Sequence, residues 1–342
     1  MEATPKKVLM ATDVPFWELR NGSHYRIHSL LLAMRRHGYE VSLFHLAAAG
    51  VQERRQVRSD YPDLHFHFMT IPILDDLGNR WNVFDRQARQ NLLSTWPTHL
   101  SEGQSLEEFA EPTIASRFQK VVRRKKPDLV LIEYVSLAYL AKTVHALPER
   151  PRVMIDTHDV QSLRCEYFQN QGWPCWLRVN SEEEREALSL ADGVIAIQSE
   201  DARLFQSWLP ETRVLVAGHA WAGPMNEVSE ADREFPTAGL IASSGRSNLE
   251  GVSWFFEKVW PLVVRRFPKA KFKLAGTIGE LRQVEDWQKV PGIEVLGRIE
   301  RPIDFYRQID VAINPTHVPS GLKIKSVEAV SYTHLTLPTI RL

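Results

Sequence analysis

The chain reads as an α/β protein made of two doubly wound, Rossmann-like domains in succession. Three observations predict this. Short apolar runs alternate with helix-spaced amphipathic runs from residue 6 to about residue 199, the pattern of parallel strands joined by helical crossovers. The alternation restarts at residue 235, after a stretch near 216–235 where Gly, Pro, Asn, Glu and Ser accumulate. The length, 342 residues, also exceeds what a single core ordinarily supports.

In the first half, "KKVLMATD" (6–13) is an apolar run ending in polar residues, hence a buried strand. "NGSHYRIHSLLLAMRRHG" places Ile27, Leu30, Leu31 and Met34 at helical spacing and stops at Gly38. "YEVSLFHLA" (39–47) and "LHFHFMTIP" (64–72) are strands, and residues 73–105 give no clear period. "LEEFAEPTIASRFQKVVRRKKP" is a helix leading into the strand "DLVLIEY" (128–134). "SLAYLAKTVHAL" is a helix before the strand "RVMIDTHD" (152–159). A charged helix, "SEEEREALSLAD", opens with Ser181 and Glu184 at capping-box spacing, and "GVIAIQS" (193–199) is again a strand.

The second half repeats the scheme. "FPTAGLIASSG" (235–245), "AKFKLAGT", "GIEVLGRI" and "DVAINPT" are strands. "NLEGVSWFFEKVWPLVVRRFP" and "PIDFYRQI" are helices, and a last helical run follows Gly321. Two such domains facing each other form a cleft at the carboxyl ends of their strands, where open α/β sheets take ligands.

Composition narrows the functional classes. Hydrophobic content of 44% and charged content of 25% are ordinary for a globular protein, and the net charge is zero. No overall field therefore draws the chain to nucleic acid. The two cysteines, Cys165 and Cys175, lack the spacing or histidine company of a zinc site. The N-terminus has too short an apolar run for a signal peptide, and no stretch approaches the roughly 18–20 apolar residues of a membrane span. A cytoplasmic protein is expected.

Four loops at strand ends carry candidate chemistry. In "LRNGSHYR", Gly22 lets backbone N–H groups approach an anion at a helix N-terminus; the alternative is a turn glycine with Arg26 exposed. In "DTHDVQS", His158 and Asp159 offer acid–base and hydrogen-bonding groups, although Asp159 serves equally as a helix cap. In "SSGRSNLEG", Arg246 suits a phosphate, and Asn248 either caps the helix or touches a ligand. In "PTHVPSGLKIKSVEAV", Gly321 turns the chain into a helix. There Lys323 and free N–H groups suit a pyrophosphate, and Glu328 suits two ribose hydroxyls; as a plain surface helix, Lys-x-Lys is unremarkable.

Together these residues resemble a GT-B glycosyltransferase of the large retaining family 4, a bacterial sugar transferase of hexosyltransferase type. "LIASSGRSNLEGVSWFFEKVWPLVVRRFPKAKFKLAGT", "IEVLGRIERPIDFYRQIDVAINPT" and "SGLKIKSVEA" carry the resemblance most strongly, with "DTHDVQSLR" and "VLVAGHAW" supporting it. It implies residues 1–220 as the acceptor-side domain and 235–331 as the nucleotide-sugar-binding domain. It implies a nucleotide diphosphate sugar as donor substrate, with no separate cofactor and no metal. The acceptor is a glycan, a lipid-linked molecule or a small molecule, with no nucleic acid involved. By the same match, Lys323 contacts the diphosphate, Glu328 the ribose, and Gly22 approaches from the first domain. His158 lies beside donor sugar and acceptor.

The chain departs from the pattern in three places. Glu250 precedes Gly251 where many members carry lysine, and Ser320 stands where a paired glutamate is expected. After "EAVSY" comes "THLTLPTIRL" instead of a further strand and helices. Residues 332–342 are accordingly expected to be a non-native tail on an incomplete second domain, which leaves open an inactive, nucleotide-sugar-binding remnant. A nucleotide-sugar epimerase of the same shape is the nearest enzymatic alternative. A nicotinamide oxidoreductase lacks its glycine fingerprint here. The basic run "FQKVVRRKKP" (118–127) raises peripheral membrane contact.

Overall fold

A computed structural model describes residues 6–19, 21–48, 51–69, 103–219, 236–319 and 321–333. The chain divides into two compact units, 1–218 with 319–322, and 219–318 with 323–342. Each carries its own parallel sheet.

The strands of the first unit are β1 (Lys7–Thr12), β2 (Glu40–Ala48), β3 (His65–Met69), β4 (Gln104–Ser105), β5 (Leu129–Glu133), β6 (Arg152–Asp156), β7 (Leu177–Arg178), β8 (Gly193–Ala196) and β9 (Arg213–Val216). Seven form one sheet in the order β3-β2-β1-β5-β6-β8-β9, and β4 pairs with β7 in a separate ribbon. Every pairing among the described residues is parallel, with Val8 opposite both Val41 and Leu129. The buried residues of β1 alternate between two cores. Leu9 and Ala11 join Val130, Ile132 and Phe118 on one face, while Val8 and Met10 join Ile27, Leu31 and Leu43 on the other. Burial on both faces explains why these strands read as unbroken apolar runs.

The second unit contains β10 (Thr237–Ile241), β11 (Lys271–Ala275), β12 (Ile293–Gly297) and β13 (Val311–Ala312), ordered β12-β11-β10-β13. Trp260, Phe255, Phe256 and Phe272 fill its core with mutually tilted rings. Gly239 lies where a Cβ would meet Ile309 Cγ2 at 2.7 Å, so the sheet and residue 309 pack too closely for a side chain.

Several elements differ from expectation for local reasons. The helix expected from 106 to 127 is two helices, Leu106–Phe109 and Pro112–Lys125, because Pro112 takes the first turn of the second. The capping box sits one residue earlier than Ser181 and Glu184. Asn180 accepts from Glu182 N and Glu183 N, and Glu183 returns a bond to Asn180 N. The long helix after β10 is interrupted by a π-helical segment, Phe255–Val259, just before Pro261, which has no N–H to continue the ladder. The polar helix Val51–Asp60 and the helices Gln161–Asn170 and Ser199–Trp208 are additional. The last helix, Ile324–Thr333, continues past residue 331; the rest of the expected tail, 334–342, lies outside the described residues, as do Ser320 and most of the 216–235 boundary.

Candidate functional site

In the first unit the site is assembled at the carboxyl ends of β5 and β6. Glu133 ends β5 and Asp156 ends β6, and both are fully buried. From the helix Gly22–Arg36, Arg26 reaches Asp156 with Nε to Oδ2 at 2.8 Å and Nη2 to Oδ1 at 2.5 Å. Its Nη1 donates to Ala217 O at 2.9 Å. The exposed Arg26 of the alternative sequence reading is therefore a buried residue in a forked ion pair. Asp156 and Glu133 hold its pKa above the ordinary arginine value, against the opposing effect of burial.

His158 follows two residues after Asp156. Its Nε2 lies 2.7 Å from Glu133 Oε2 and 3.8 Å from Asp156 Oδ2. Burial pushes the imidazole down to about 4, opposed by Asp156, and pushes Glu133 up to about 7, opposed by Arg26. Tyr134 stacks on the His158 ring at 3.9 Å between centroids, and its hydroxyl meets Ser23 Oγ at 2.5 Å. Both Tyr134 and His158 have positive φ, 72° and 60°, conformations that cost free energy for non-glycine residues and concentrate at functional sites.

These contacts join two loops that the sequence flagged separately. Gly22 is the first residue of its helix, capped by Asn21, whose side chain accepts from His24 N at 3.1 Å. Gly22 thus stands at a helix N-terminus, one residue before Ser23 and four before Arg26, both of which touch the His158 cluster. Asp159 accepts from Gln161 Nε2, and from Arg164 Nη1 at 3.3 Å, tying down the start of Gln161–Asn170. Glu184 supports the same start from the side, accepting Gln161 N at 2.9 Å and Ser162 N at 2.8 Å.

Glu133, Asp156 and His158 offer ligand atoms within 4.8 Å of one another, the spacing of a metal site. Both Asp156 oxygens, however, are bonded to the Arg26 guanidinium. A cation placed here would compete with Arg26 for its charge partner, so the cluster fits an internally neutralised network better than a metal centre.

In the second unit the candidate residues gather around the helix Ile324–Thr333. Asn248 Nδ2 donates to Ser243 O at 3.0 Å and Ser243 Oγ at 2.9 Å, and its Oδ1 accepts from Lys325 Nζ. Gly245 is the N-cap of the helix Arg246–Trp254, so Asn248 bridges two segments and Arg246 lies exposed at the first helical position. Lys325 was not singled out for a role from sequence, yet it holds the more telling position. Burial, followed by repulsion from Lys323, pushes its ammonium down to about 8. Lys323 instead donates to Val318 O at 2.7 Å, bracing the loop before the helix.

Glu328 lies one helical turn beyond Lys325 and is 8% exposed. Burial pushes its carboxyl up to about 7. Tyr306 Oη is 3.5 Å from Oε2, while Oε1 is buried with no hydrogen-bond partner among the described residues. A cavity of ≈ 60 Å³ beside them is lined by Gly239, Tyr306, Asn314, Lys325 and Ser326. Gly321, which groups with the first unit, lies at the expected turn and takes a left-handed φ of 74°. Glu250 lies 3.5 Å from His317 Nδ1, and Trp254 packs edge-on against that ring.

Arg26, Glu133, Tyr134 and Lys325 were missed as site residues. An uninterrupted apolar strand ending in a carboxylate, as in "LVLIE" and "RVMID", is the signal that marks Glu133 and Asp156 as a pair. A cavity of ≈ 460 Å³ is lined by Arg54, Arg58, His67, Arg117, Lys120 and Arg124, of which Lys120 and Arg124 belong to the basic run 118–127. Among the described residues no helix is long and apolar enough to cross a membrane.

Comparison with known proteins identifies the architecture. A glycosyl transferase 4-like domain matches residues 21–218, and a glycosyl transferases group 1 domain matches residues 236–337. No curated protein sequence matches the chain. Among solved structures, TarM aligns over 96% of this chain and 83% of its own, with TM-score 0.64 and 9% identity. An S. aureus TarM mutant in complex with fondaparinux, alpha-GlcNAc-glycerol and UDP gives TM-score 0.59 at 9% identity, over 95% and 84% of the two chains. An alpha,alpha-trehalose-phosphate synthase (UDP-forming) from Burkholderia xenovorans, in complex with glucose-6-phosphate, gives TM-score 0.52 at 11% identity, over 96% and 82%. At such identities the likeness concerns the fold, two Rossmann-like domains of GT-B type. With the 4-like domain spanning more than half of its residues, the chain belongs to the glycosyltransferases of that family.

Proposed function

We propose that the protein transfers a sugar from a nucleotide diphosphate donor to an acceptor hydroxyl with retention of anomeric configuration. The observation that carries this reading is the pairing of Lys325 and Glu328 on one face of Ile324–Thr333. A half-buried ammonium held by a neutral amide is an incomplete electrostatic arrangement, and an anion such as a diphosphate completes it. A buried carboxylate with one orphan oxygen suits a hydroxyl pair such as that of ribose. Arg246 and Lys323 supply further positive charge for the leaving diphosphate, the role that preorganised cations play in stabilising a developing anion. The named ligands of the structural neighbours, UDP and glucose-6-phosphate, agree with this substrate class.

In the first unit, His158 faces the donor sugar and acceptor, Asp159 fixes the loop that carries it, and Gly22 stands at the helix start. The basic face of Pro112–Lys125 provides peripheral contact with an anionic membrane when the acceptor is lipid-linked. Sedimentation with anionic vesicles at low salt tests that last point. No sedimentation would remove it.

The central test is calorimetry with a panel of nucleotide diphosphates and their sugars, followed by product analysis with candidate acceptors. Lys325→Met is expected to lower diphosphate affinity by tenfold or more, since hydrogen bonds to charged groups contribute about 1.5–3 kcal/mol. Unchanged affinity would exclude this helix as the phosphate site. His158→Asn tests the first unit, because asparagine tolerates the φ of 60°. Loss of transfer with diphosphate binding retained is the expected result.

A further inference from the structure

We infer that Glu133 is a positioning residue for His158, the two sharing one proton that decides whether the other ring nitrogen, Nδ1, donates or accepts a hydrogen bond. The inference rests on the reading that His158 faces a sugar.

Its basis is geometric. Glu133 Oε2 sits 2.7 Å from His158 Nε2, and the Tyr134 ring stacked at 16° to the imidazole fixes the ring plane. With the plane fixed and Nε2 engaged, Nδ1 is the nitrogen left for a ligand. Consider the dyad without its extra proton. Glu133 is a carboxylate, Nε2–H donates to it, and Nδ1 carries a lone pair. Add one proton. Either Glu133 becomes a carboxylic acid and donates to Nε2, which moves the ring hydrogen to Nδ1, or the ring becomes imidazolium with hydrogens on both nitrogens. Nδ1 is a donor in both microstates. The polarity of that nitrogen therefore follows the proton count of the pair, whichever member holds the proton.

The surroundings keep this equilibrium near neutrality. Arg26 faces the dyad from the helix Gly22–Arg36, Asp156 from the end of β6, Asp159 from the segment after it, and Tyr134 from the segment after β5, with Ser23 bonded to the Tyr134 hydroxyl. Arg164 and Asp13 act on Tyr134 from further off. Arg26 and Asp156 cancel each other, so the dyad's own charge is either zero or minus one. Burial opposes both the ionised carboxyl and the imidazolium, which brings Glu133 to about 7 while holding His158 near 4. Positive charge grows on a sugar as its bond to a diphosphate breaks, and a dyad carrying minus one favours that change. Transfer is accordingly faster in the deprotonated state, in which Nδ1 accepts from a sugar hydroxyl.

The test has two readouts. In the full-length protein with 15N-labelled histidine, His158 is assigned by comparison with His158→Asn and its ring tautomer followed from pH 5.5 to 8.5. The hydrogen is expected to leave Nδ1, and Nε2 to keep one, with a single midpoint near neutrality. In transfer assays kcat is expected to fall about tenfold per pH unit below that midpoint, with KM changing less. Glu133→Gln is expected to abolish the midpoint in both readouts while Tm is maintained, and Glu133→Asp to restore a midpoint. A ring hydrogen that stays on one nitrogen across the range would overturn the inference, as would a Glu133→Gln profile identical to that of the unaltered protein. The tautomer readout needs no substrate. A switching tautomer in a protein that transfers no sugar would instead count against the proposed function.

Discussion

Arg26 and Asp156 lie 130 residues apart in sequence and meet in a two-pronged ion pair from which water is excluded. The pair links the first helix to the strand that presents His158. Removing one member strands a charge in the interior. Arg26→Leu is expected to cost about 3–5 kcal/mol, the usual penalty for breaking a buried pair, and the Arg26→Leu/Asp156→Leu double variant less than the sum of its parts. Urea unfolding measures both. A loss below about 1 kcal/mol for the single variant would show that the interior relaxes around the orphaned carboxylate.

Lys325 gives a pH dependence of definite sign. Its folded pKa, about 8, is below the ordinary 10.5, so between those values the unfolded chain binds the extra proton. Stability then rises with pH across about 8 to 10.5 on this residue's account, its penalty being fully present below 8. Ligand binding runs the other way, because an anion favours the charged amine and diphosphate affinity should weaken above about pH 8. Lys325→Met should therefore stabilise the unliganded protein while weakening binding. Melting curves with and without nucleotide diphosphate check the two halves, and a variant less stable than the parent without ligand would contradict the assignment.

Gly251 leaves no room for a side chain. A Cβ there would meet Pro315 O at 2.6 Å and Pro315 C at 2.9 Å. Gly251→Ala gains helix propensity but pushes the helix Arg246–Trp254 off the segment behind it, for an expected net loss of about 1–3 kcal/mol. Neutral or improved stability in thermal unfolding would mean that the segment yields freely.

Glu184 takes the place of the missing cap at Gln161–Asn170, where Val160 has no side-chain acceptor. Glu184→Ala leaves two buried N–H groups unsatisfied, at about 1–3 kcal/mol. Hydrogen exchange should quicken at Gln161 and Ser162 well before β6. Uniform loss of protection across the unit would show that the residue supports the whole domain and not this helix.

The strands were legible because burial on both faces leaves no polar phase to misread, and "VLMAT", "LVLIE" and "RVMID" all appear where expected. The helices were legible only where they are amphipathic. Val51–Asp60 carries no apolar residue besides Val51 and Val57, so its sequence resembles a solvated loop. Asn180 outcompeted Ser181 as cap because its extended backbone lets one oxygen accept two N–H groups. In the candidate site, His158, Asn248 and Glu328 stood out by residue type and loop position. Arg26 did not, since its partner is fixed by strand order and not by spacing. Lys325 and Lys323 are indistinguishable in a local pattern; both are half-buried, and they part only because Lys325 lies in the helix and reaches Asn248 while Lys323 precedes it and reaches Val318 O.

The order β3-β2-β1-β5-β6-β8-β9 puts β1, the earliest of these seven strands in the chain, in the interior of the finished sheet. One flank of β1 is covered early by β2, but its other partner is 121 residues downstream, as the contact of Lys7 N with Asp128 Oδ2 marks. At ribosomal speeds of about 5–20 residues per second, the gap lasts about 6–24 s. For that interval the nascent chain carries an apolar strand, Val8 to Ala11, with a bare edge ready to pair with a stranger. Yield in a cell should thus depend on translation rate and holdase supply before it depends on the stability of the finished protein.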